Sequence, residues 1–573
     1  MLPNLLATRK GRLAAFFALY VTEGIPLGFA ATAVAYYLRK LGVGPAEIGA
    51  FVGSFYLPWA FKWAFGPLVD VFRSQRWGHR RAWILGTQLV MAATLAVLVG
   101  VKLPDQLWLF TAILLVHNTF SAMQDVAIDA LACNTLQEDE RGLANGLMFA
   151  GAAVGQAIGG SGVLFLVPYT GFQATYFFVA LAILSVTGLV VWPMKEAVAQ
   201  AAGQAAGQIG EQARGWARAA GEMKAFSVEA FKSFLGTRGA FAGVWFSLLP
   251  AGAMALGLSL RSSLSAEFGL DENQTAQLEF WSNLISAVAM VAGGWLSDKL
   301  GRRSTLFVYL GLMSLPAVYM AYVLERQGYV MPRAPGSAPV DAVLVSALWA
   351  TTLVYNFFLG LMYGTRSAIM MDVTNPKVAA TQFTAYMALA NLAIAYSATW
   401  QGAAAEAVGY PKTLYIDAAV GLLNLVVLLW IRPPKAGEEE PDSAARRARW
   451  VCWGLTAICL AWWAFHFAGN HLGAAKGIVN TFFTVGFVAA ALVLLAACAL
   501  LAREAALRVA PWVALGLLLI YARNFPAPLG RWTGLGTETM QSLLGYLTLG
   551  VTLVAALLLL RLARHRWDEL TQA

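Results

Sequence analysis

The chain has 573 residues, of which 59% are hydrophobic and only 12% charged, with a mean hydropathy of +0.62. A soluble chain of this length carries about twice that charged fraction, so the composition excludes a soluble globular protein and marks a membrane protein. The net charge of +9 lies mostly in short loops between apolar segments, which gives no reason to expect nucleic acid as a partner.

Apolar windows of about 20 residues recur along nearly the whole length, each closed by Lys/Arg, Gly or Pro. In chain order the expected spans are 13–38, 46–70, 82–102, 107–135, 143–167, 172–193, 240–264, 275–297, 304–324, 342–370, 380–404, 413–431, 450–468, 478–502, 508–522 and 540–562, sixteen in all. The basic N-terminus (Arg9, Lys10, Arg12) precedes a long span without a small-residue cleavage pattern, so the first span is read as retained. Counting alternately from a cytoplasmic N-terminus places Arg80, Arg81, Arg302, Arg303, Arg446, Arg447, Arg561 and Arg564 on the same side. The expected location is therefore the inner (plasma) membrane, multi-pass, with both termini cytoplasmic.

In the first span Glu23 stands just before Gly24-Ile25-Pro26. Pro26 removes a backbone donor, so the helix is expected to bend there and open polar groups to a cavity, making Glu23 a proton-coupling candidate. The alternative is a carboxylate near the outer leaflet, paired with Lys40 or a headgroup. The second span carries Lys62, about 12 Å from its cytoplasmic end at 1.5 Å per residue. That is too deep to snorkel, and a buried ammonium needs a carboxylate. The fourth span supplies one: SAMQDVAID places Gln124, Asp125 and Asp129 inside an apolar helix, the two aspartates four residues apart on one face. Either Asp125 or Asp129 is the expected partner of Lys62, as a transport site or as a static pair joining two helices. The fifth span has Gly151, Gly155 and Gly159 at four-residue spacing, which permits close helix contact. It also resembles a drug/proton antiporter motif, but Gln156 stands where that motif has its Pro.

A repeat organises the first twelve spans. The loop after the second contains Gly66, Asp70, Gly78, His79, Arg80 and Arg81; the loop after the eighth contains Gly294, Asp298, Gly301, Arg302 and Arg303. Asp70 and Asp298 are 298 − 70 = 228 positions apart, and Pro26 and Pro250 are 250 − 26 = 224 apart, as two parallel six-span halves require. Each loop reads as a tight cytoplasmic turn in which Gly allows close approach and Asp pairs with the basic run or caps a helix. The tenth span offers Asn356, Tyr363 and Arg366 on adjoining turns, with Asp372 at its end; Asn356 and Tyr363 are expected to line a cavity together. Arg261 in the seventh span is a further cation, whereas Glu279 in the eighth lies near a helix end and is the weaker acidic candidate. Between the halves, 196–239 reads as a cytoplasmic linker whose first part is a flexible tether and whose second part, with Arg214, Trp216, Lys224 and Phe231, suits a surface-lying helix. A charged linker at 433–449 precedes the last four spans, where His466 is the single intramembrane candidate. The cysteines Cys133, Cys452, Cys459 and Cys498 sit in or beside spans and suggest neither a disulfide framework nor a metal site.

The doubled G-x-x-x-D…G-R-R loop resembles the signature loop of the major facilitator superfamily. Five further stretches, EGIPLGFA, FKWAFGPLVD, GHRRAW, MQDVAID and DVTNPKVAATQF, are similar to the branch of that superfamily that holds AmpG-type muropeptide permeases and acetyl-coenzyme A transporters, over residues 13–432. His79 departs from the Arg usual in the family loop, and the last four spans extend beyond the family's core. The resemblance implies an all-α membrane protein with a major facilitator fold of two six-helix bundles (1–195 and 240–432) plus about four extra C-terminal transmembrane helices (450–573). It implies a secondary active transporter, a proton-coupled importer of a bulky anionic solute such as a muropeptide. Proton coupling would fall to Glu23, Asp125 and Asp129, substrate binding to Lys62, Gln124, Asn356, Tyr363 and Arg366, and gating to the two loops. Other readings are an acetyl-coenzyme A or other metabolite transporter, a proton-coupled drug exporter, and a sensor or anchor built on the extra spans. No nucleotide-binding loop and no nucleophile–base constellation is present, so neither a cofactor nor enzyme activity is expected. The expected partners are a small-molecule substrate, protons and the lipid bilayer.

Overall fold

The computed structural model describes residues 3–71, 74, 76–136, 141–196, 221, 232–336, 340–373, 379–431, 441–468, 475–501, 505–520, 529–530 and 533–567. The side chains of Asp70, Asp298, Asp372 and Cys133 lie outside this description, as do most of the first linker, including its expected surface-lying helix, and the acidic block Glu438 to Glu440. Every regular element among the described residues is helical. Twelve of these helices are long and apolar enough to cross a bilayer, from Arg9–Lys40 to Thr537–Arg564. In hydrocarbon each backbone group needs a partner within its own segment, which is why the chain resolves into helices.

The other four expected spans are helical too, but differently built. The second runs Pro45–Ala60, passes through a tight turn at Lys62–Phe65 and ends in Gly66–Val71. Pro58 explains the interruption: it removes one donor from the last turn of the first segment, and Phe61 leaves helical geometry (φ −113°, ψ 11°). The seventh is split into Arg238–Leu248 and Ser259–Glu267, with Pro250 and a left-handed Gly252 (φ +76°) between them. The eleventh is a 30-residue helix, Ala379–Val408, and the fifteenth is short, Ala510–Leu519. The thirteenth helix is described from Pro441, earlier than the expected 450.

By internal contacts the chain divides into two compact units. One comprises 1–220, 249–369 and 388–425, the other 221–248, 370–387 and 426–573. In the first unit the opening span packs along the fifth, the third along the fourth and sixth, and the second against the fourth. The first–fifth seam is built on glycine. A methyl group at Gly24 or Gly28 would strike the backbone of Ala152 or Gln156, and one at Gly151, Gly155 or Gly159 would strike the carbonyls of Phe17, Val21 or Ile25. The stripe of small residues in the fifth span is thus a packing face. This support keeps the first span helical through Pro26, where the sequence predicts a bend; the strain of the missing donor appears just beyond it, as a widened helical turn at Phe29–Val34.

In the second unit Pro441–Ala468 packs against Thr537–Arg564, and Ala475–Leu500 against Ala510–Leu519. Ala444, Ala448, Cys452, Leu455, Cys459 and Trp462 recur every three or four residues along one buried face of the thirteenth helix, the spacing of an apolar stripe. Cys452 and Cys459 are buried free thiols. His466 stacks near Trp462, ring centroids 5.0 Å apart.

Replacing Gly155 by Val is expected to cost at least about 1–3 kcal/mol through overpacking and to lower the yield of folded protein. The same change at Gly146, where an added methyl meets nothing within 4 Å, is expected to leave it unchanged. Size-exclusion yield and thermal unfolding of the two variants decide this, and equal behaviour would refute the packing role.

Candidate functional site

A cluster of acids around one ammonium lies inside the first unit. The tight turn after Phe61 presents Lys62, whose Nζ donates to Asp125 Oδ2 at 2.9 Å, with side-chain exposures of 15% and 2%. Of the two expected partners, Asp125 therefore holds the ammonium. Asp129, one helical turn on, accepts from Tyr20 Oη at 2.5 Å. Glu23, from the same helix as Tyr20, lies within electrostatic reach of Asp125, Asp129 and Lys62, and its Oε2 is buried without a partner. Three carboxyl groups from two spans thus surround one cation. Glu23, Lys62 and Asp129 are each only partly buried in mid-span.

The other expected substrate contacts are placed less uniformly. Gln124 is fully buried and donates to Thr22 Oγ1 (2.9 Å), which also receives Gln88 (3.3 Å), while Gln88 accepts from Thr187 (2.7 Å). It belongs to a polar ladder across the first, third, fourth and sixth spans and turns away from Lys62. Asn356 is buried and donates to Thr352 O, a bond inside its own helix. Tyr363 and Arg366 do face one another.

The two loops share one backbone device. Gly78 (φ +89°) and Gly301 (φ +93°) both adopt the left-handed conformation immediately before the next helix, which only glycine takes without strain. Arg80 donates to Val69 O (2.9 Å) and Arg81 Nε to Val191 O (3.0 Å), tying the turn to the ends of the second and sixth spans. Glu196 accepts from the backbone amides of His79 and Arg81, capping the third helix from the far end of the sixth span.

Three constellations escape the sequence reading. At the opposite end from these turns, Arg39 donates to Glu267 at 2.8 Å, with both side chains buried. Glu267 also accepts from Tyr410 Oη (2.5 Å), Tyr329 Oη (2.7 Å) and Arg333 N (3.0 Å), and Arg39 donates to Val43 O and Arg333 O. This satisfied network joins the first, seventh and twelfth spans. In the break of the seventh span, Asp417 accepts from the amides of Met254 and Ala255, both at 2.9 Å, and from Gln401 (2.7 Å), while Asn424 donates to Pro250 O. These side chains supply the partners that the unwound backbone lacks. Finally Glu279, seven residues into its helix and buried, pairs with Arg261. Lone charges inside apolar spans, Asp417 above all, are the signal that would have found them.

The Major Facilitator Superfamily profile matches residues 13–397 and 248–560. The chain belongs to this superfamily. An uncharacterized protein of Haemophilus influenzae is 24% identical over 453 residues, 77% of this chain and 99% of that protein. The anhydromuropeptide permease of Escherichia coli K12 is 23% identical over 443 residues, 74% of this chain and 80% of the permease. Among solved structures, the inward-open xylose transporter XylE from E. coli superposes with a TM-score of 0.51 and 14% identity, over 74% of this chain and 98% of that one, a likeness of fold alone. The protein is a multi-pass membrane transporter of small molecules, with a major facilitator fold extended by C-terminal helices.

The Lys62–Asp125 contact is open to a double-mutant cycle. Lys62→Ala alone leaves Asp125 a buried orphan and is expected to destabilise by about 3–5 kcal/mol, whereas Lys62→Ala with Asp125→Asn recovers most of that loss. Thermal unfolding of the full chain in detergent measures it; strictly additive losses would mean the two do not interact.

Proposed function

We propose that the protein imports a bulky anionic solute, of the anhydromuropeptide class, together with protons across the inner membrane. The observation that carries this reading is the cluster of Glu23, Asp125 and Asp129 around Lys62. Three acids facing one base in the membrane interior carry an excess of negative charge that a bound proton reduces. A proton arriving at this cluster loosens the hold of Asp125 on Lys62, and the ammonium is then available to an anionic solute. Proton and anion enter as a neutral pair, which lowers the cost of moving charge through a low-dielectric interior. Tyr363 and Arg366 complete the substrate contacts, and the glycine turns at Gly78 and Gly301 serve as cytoplasmic pivots.

The basic loops support an orientation with both termini in the cytoplasm, in which the Arg39–Glu267 network stands at the outer mouth. Its parting is then the step that admits solute from outside. The anhydromuropeptide permease relative supports the substrate class. Nothing favours drug export, since the glycine stripe of the fifth span is occupied by its contact with the first.

The test is uptake of labelled anhydromuropeptide into proteoliposomes bearing the full chain under an imposed pH gradient. Wild type is expected to accumulate it, and Glu23→Gln, which mimics a permanently protonated acid, to lose accumulation while keeping exchange down a gradient. Asp129→Asn is expected to reduce uptake in protein that remains folded. Accumulation by Glu23→Gln with unaltered pH dependence would remove Glu23 from the coupling role.

A further inference from the structure

Arg261 and Glu279 form an ion pair that the Lys62 cluster does not use. Arg261 lies on Ser259–Glu267, the segment that resumes the seventh span after its break, and Glu279 in the eighth span; their side chains are 9% and 7% exposed. The pair differs from Arg39–Glu267 in one respect. Glu267 accepts from four separate groups and Arg39 also bonds two carbonyls, so that network is saturated. Arg261 has five N–H donors, and among the described residues the bonds recorded for its guanidinium go to Glu279 alone, which additionally accepts from Asn283 at 3.2 Å. A planar fork with unused donors is the group best suited to a second carboxylate.

The surroundings point the same way. Tyr56 of the second span faces Tyr363, Arg261 and Glu279, and Tyr355 of the tenth faces Tyr363, Arg261 and Tyr56. Two phenols, Tyr56 and Tyr355, therefore lie within electrostatic reach of the guanidinium, and Tyr56 keeps accessible surface in mid-span. Gly160 of the fifth span approaches the Glu279 side chain, a methyl there lying 3.5 Å from Cγ. Both halves of the repeat thus contribute hydroxyl, aromatic and charged groups around this ion pair, the composition that takes a carboxylate attached to a hydroxyl-bearing ring.

We propose that Arg261 is a solute-binding residue masked by Glu279: the carboxylate of a ring-bearing solute replaces Glu279 on the guanidinium, and Tyr56, Tyr355 and Tyr363 contact the ring. This rests on the uptake reading above and adds a second grip, in the opposite half from Lys62. The groups facing Glu279 are Arg261 from the seventh span, Tyr56 from the second and Asn283 from its own helix.

The test measures binding to the full chain in lipid nanodiscs of two probes, labelled anhydromuropeptide and the same compound with its carboxyl groups amidated. Wild type is expected to prefer the acid. Arg261→Gln should weaken the acid by about tenfold or more, the loss of a charge-assisted hydrogen bond, with little change for the amide. Glu279→Gln should bind the acid more tightly, because the guanidinium is no longer masked. If Arg261→Gln fails to fold because Glu279 is orphaned, the double variant R261Q/E279Q, which removes both charges, takes its place and should also lose the preference for the acid. A folded double variant that binds both probes as wild type does would overturn the proposal and leave the uptake reading intact. Wild type binding neither probe would overturn that reading and this one with it.

Discussion

A charge placed in hydrocarbon must find its counter-charge inside the protein, and the Lys62–Asp125 contact is where this chain meets that demand most sharply. The ammonium sits too far from either helix end to reach water along its own stem, so the second span must lie against the fourth. That seam then fixes the rest of the acid cluster. Asp129 follows Asp125 by one turn and reaches Tyr20, and Glu23 lies about one turn beyond Tyr20 on the same helix, so the first span is drawn to the same point. The tight turn at Lys62–Phe65 belongs to this arrangement, because a continuous helix through Phe61 would aim Lys62 in another direction.

The halves of the repeat meet this demand unequally. With the 228-residue offset, Lys62 corresponds to 62 + 228 = 290, which is Met290. In the second half the seam between the eighth and tenth spans is closed by glycine, since a methyl at Gly364 would strike the carbonyl of Met290. Where one half holds two helices together by an ion pair, the other does so by close backbone approach. Packing of that kind transmits force without carrying charge, whereas a pair of charges can be opened by a proton or by a competing ion. The first half is thus the chemically switchable one along this seam.

Much of the fold was legible in the sequence, because a bilayer leaves hydropathy little to misread. All sixteen apolar windows coincide with helical elements, and the doubled loop located Gly78 and Gly301, both with positive φ. The interruptions were not legible. Pro58 and Pro250 are visible, but proline inside a membrane helix is tolerated wherever neighbours supply the missing partners, as at Pro26, so the residue alone does not say whether a helix parts. The same limit governs the site. Four-residue spacing set Asp125 and Asp129 on one face, yet spacing alone could not say that Asn356 bonds the Thr352 carbonyl of its own helix. Arg39 and Glu267 escaped notice because each lies at a span end, where a charge needs no explanation until its partner is known.

That last pair shows what a parallel repeat makes possible. Arg39 and Glu267 are 267 − 39 = 228 residues apart, the same separation as Asp70 and Asp298. They stand at equivalent places on the first and seventh spans, within a turn of the 224-residue offset that relates Pro26 to Pro250. Two halves related by a rotation bring equivalent positions together near the axis, and like residues there would repel if charged. Opposite charges at equivalent positions turn this meeting into an attraction, which identical halves could not achieve. The divergence of the repeat is therefore what lets its halves hold one another by charge at one end.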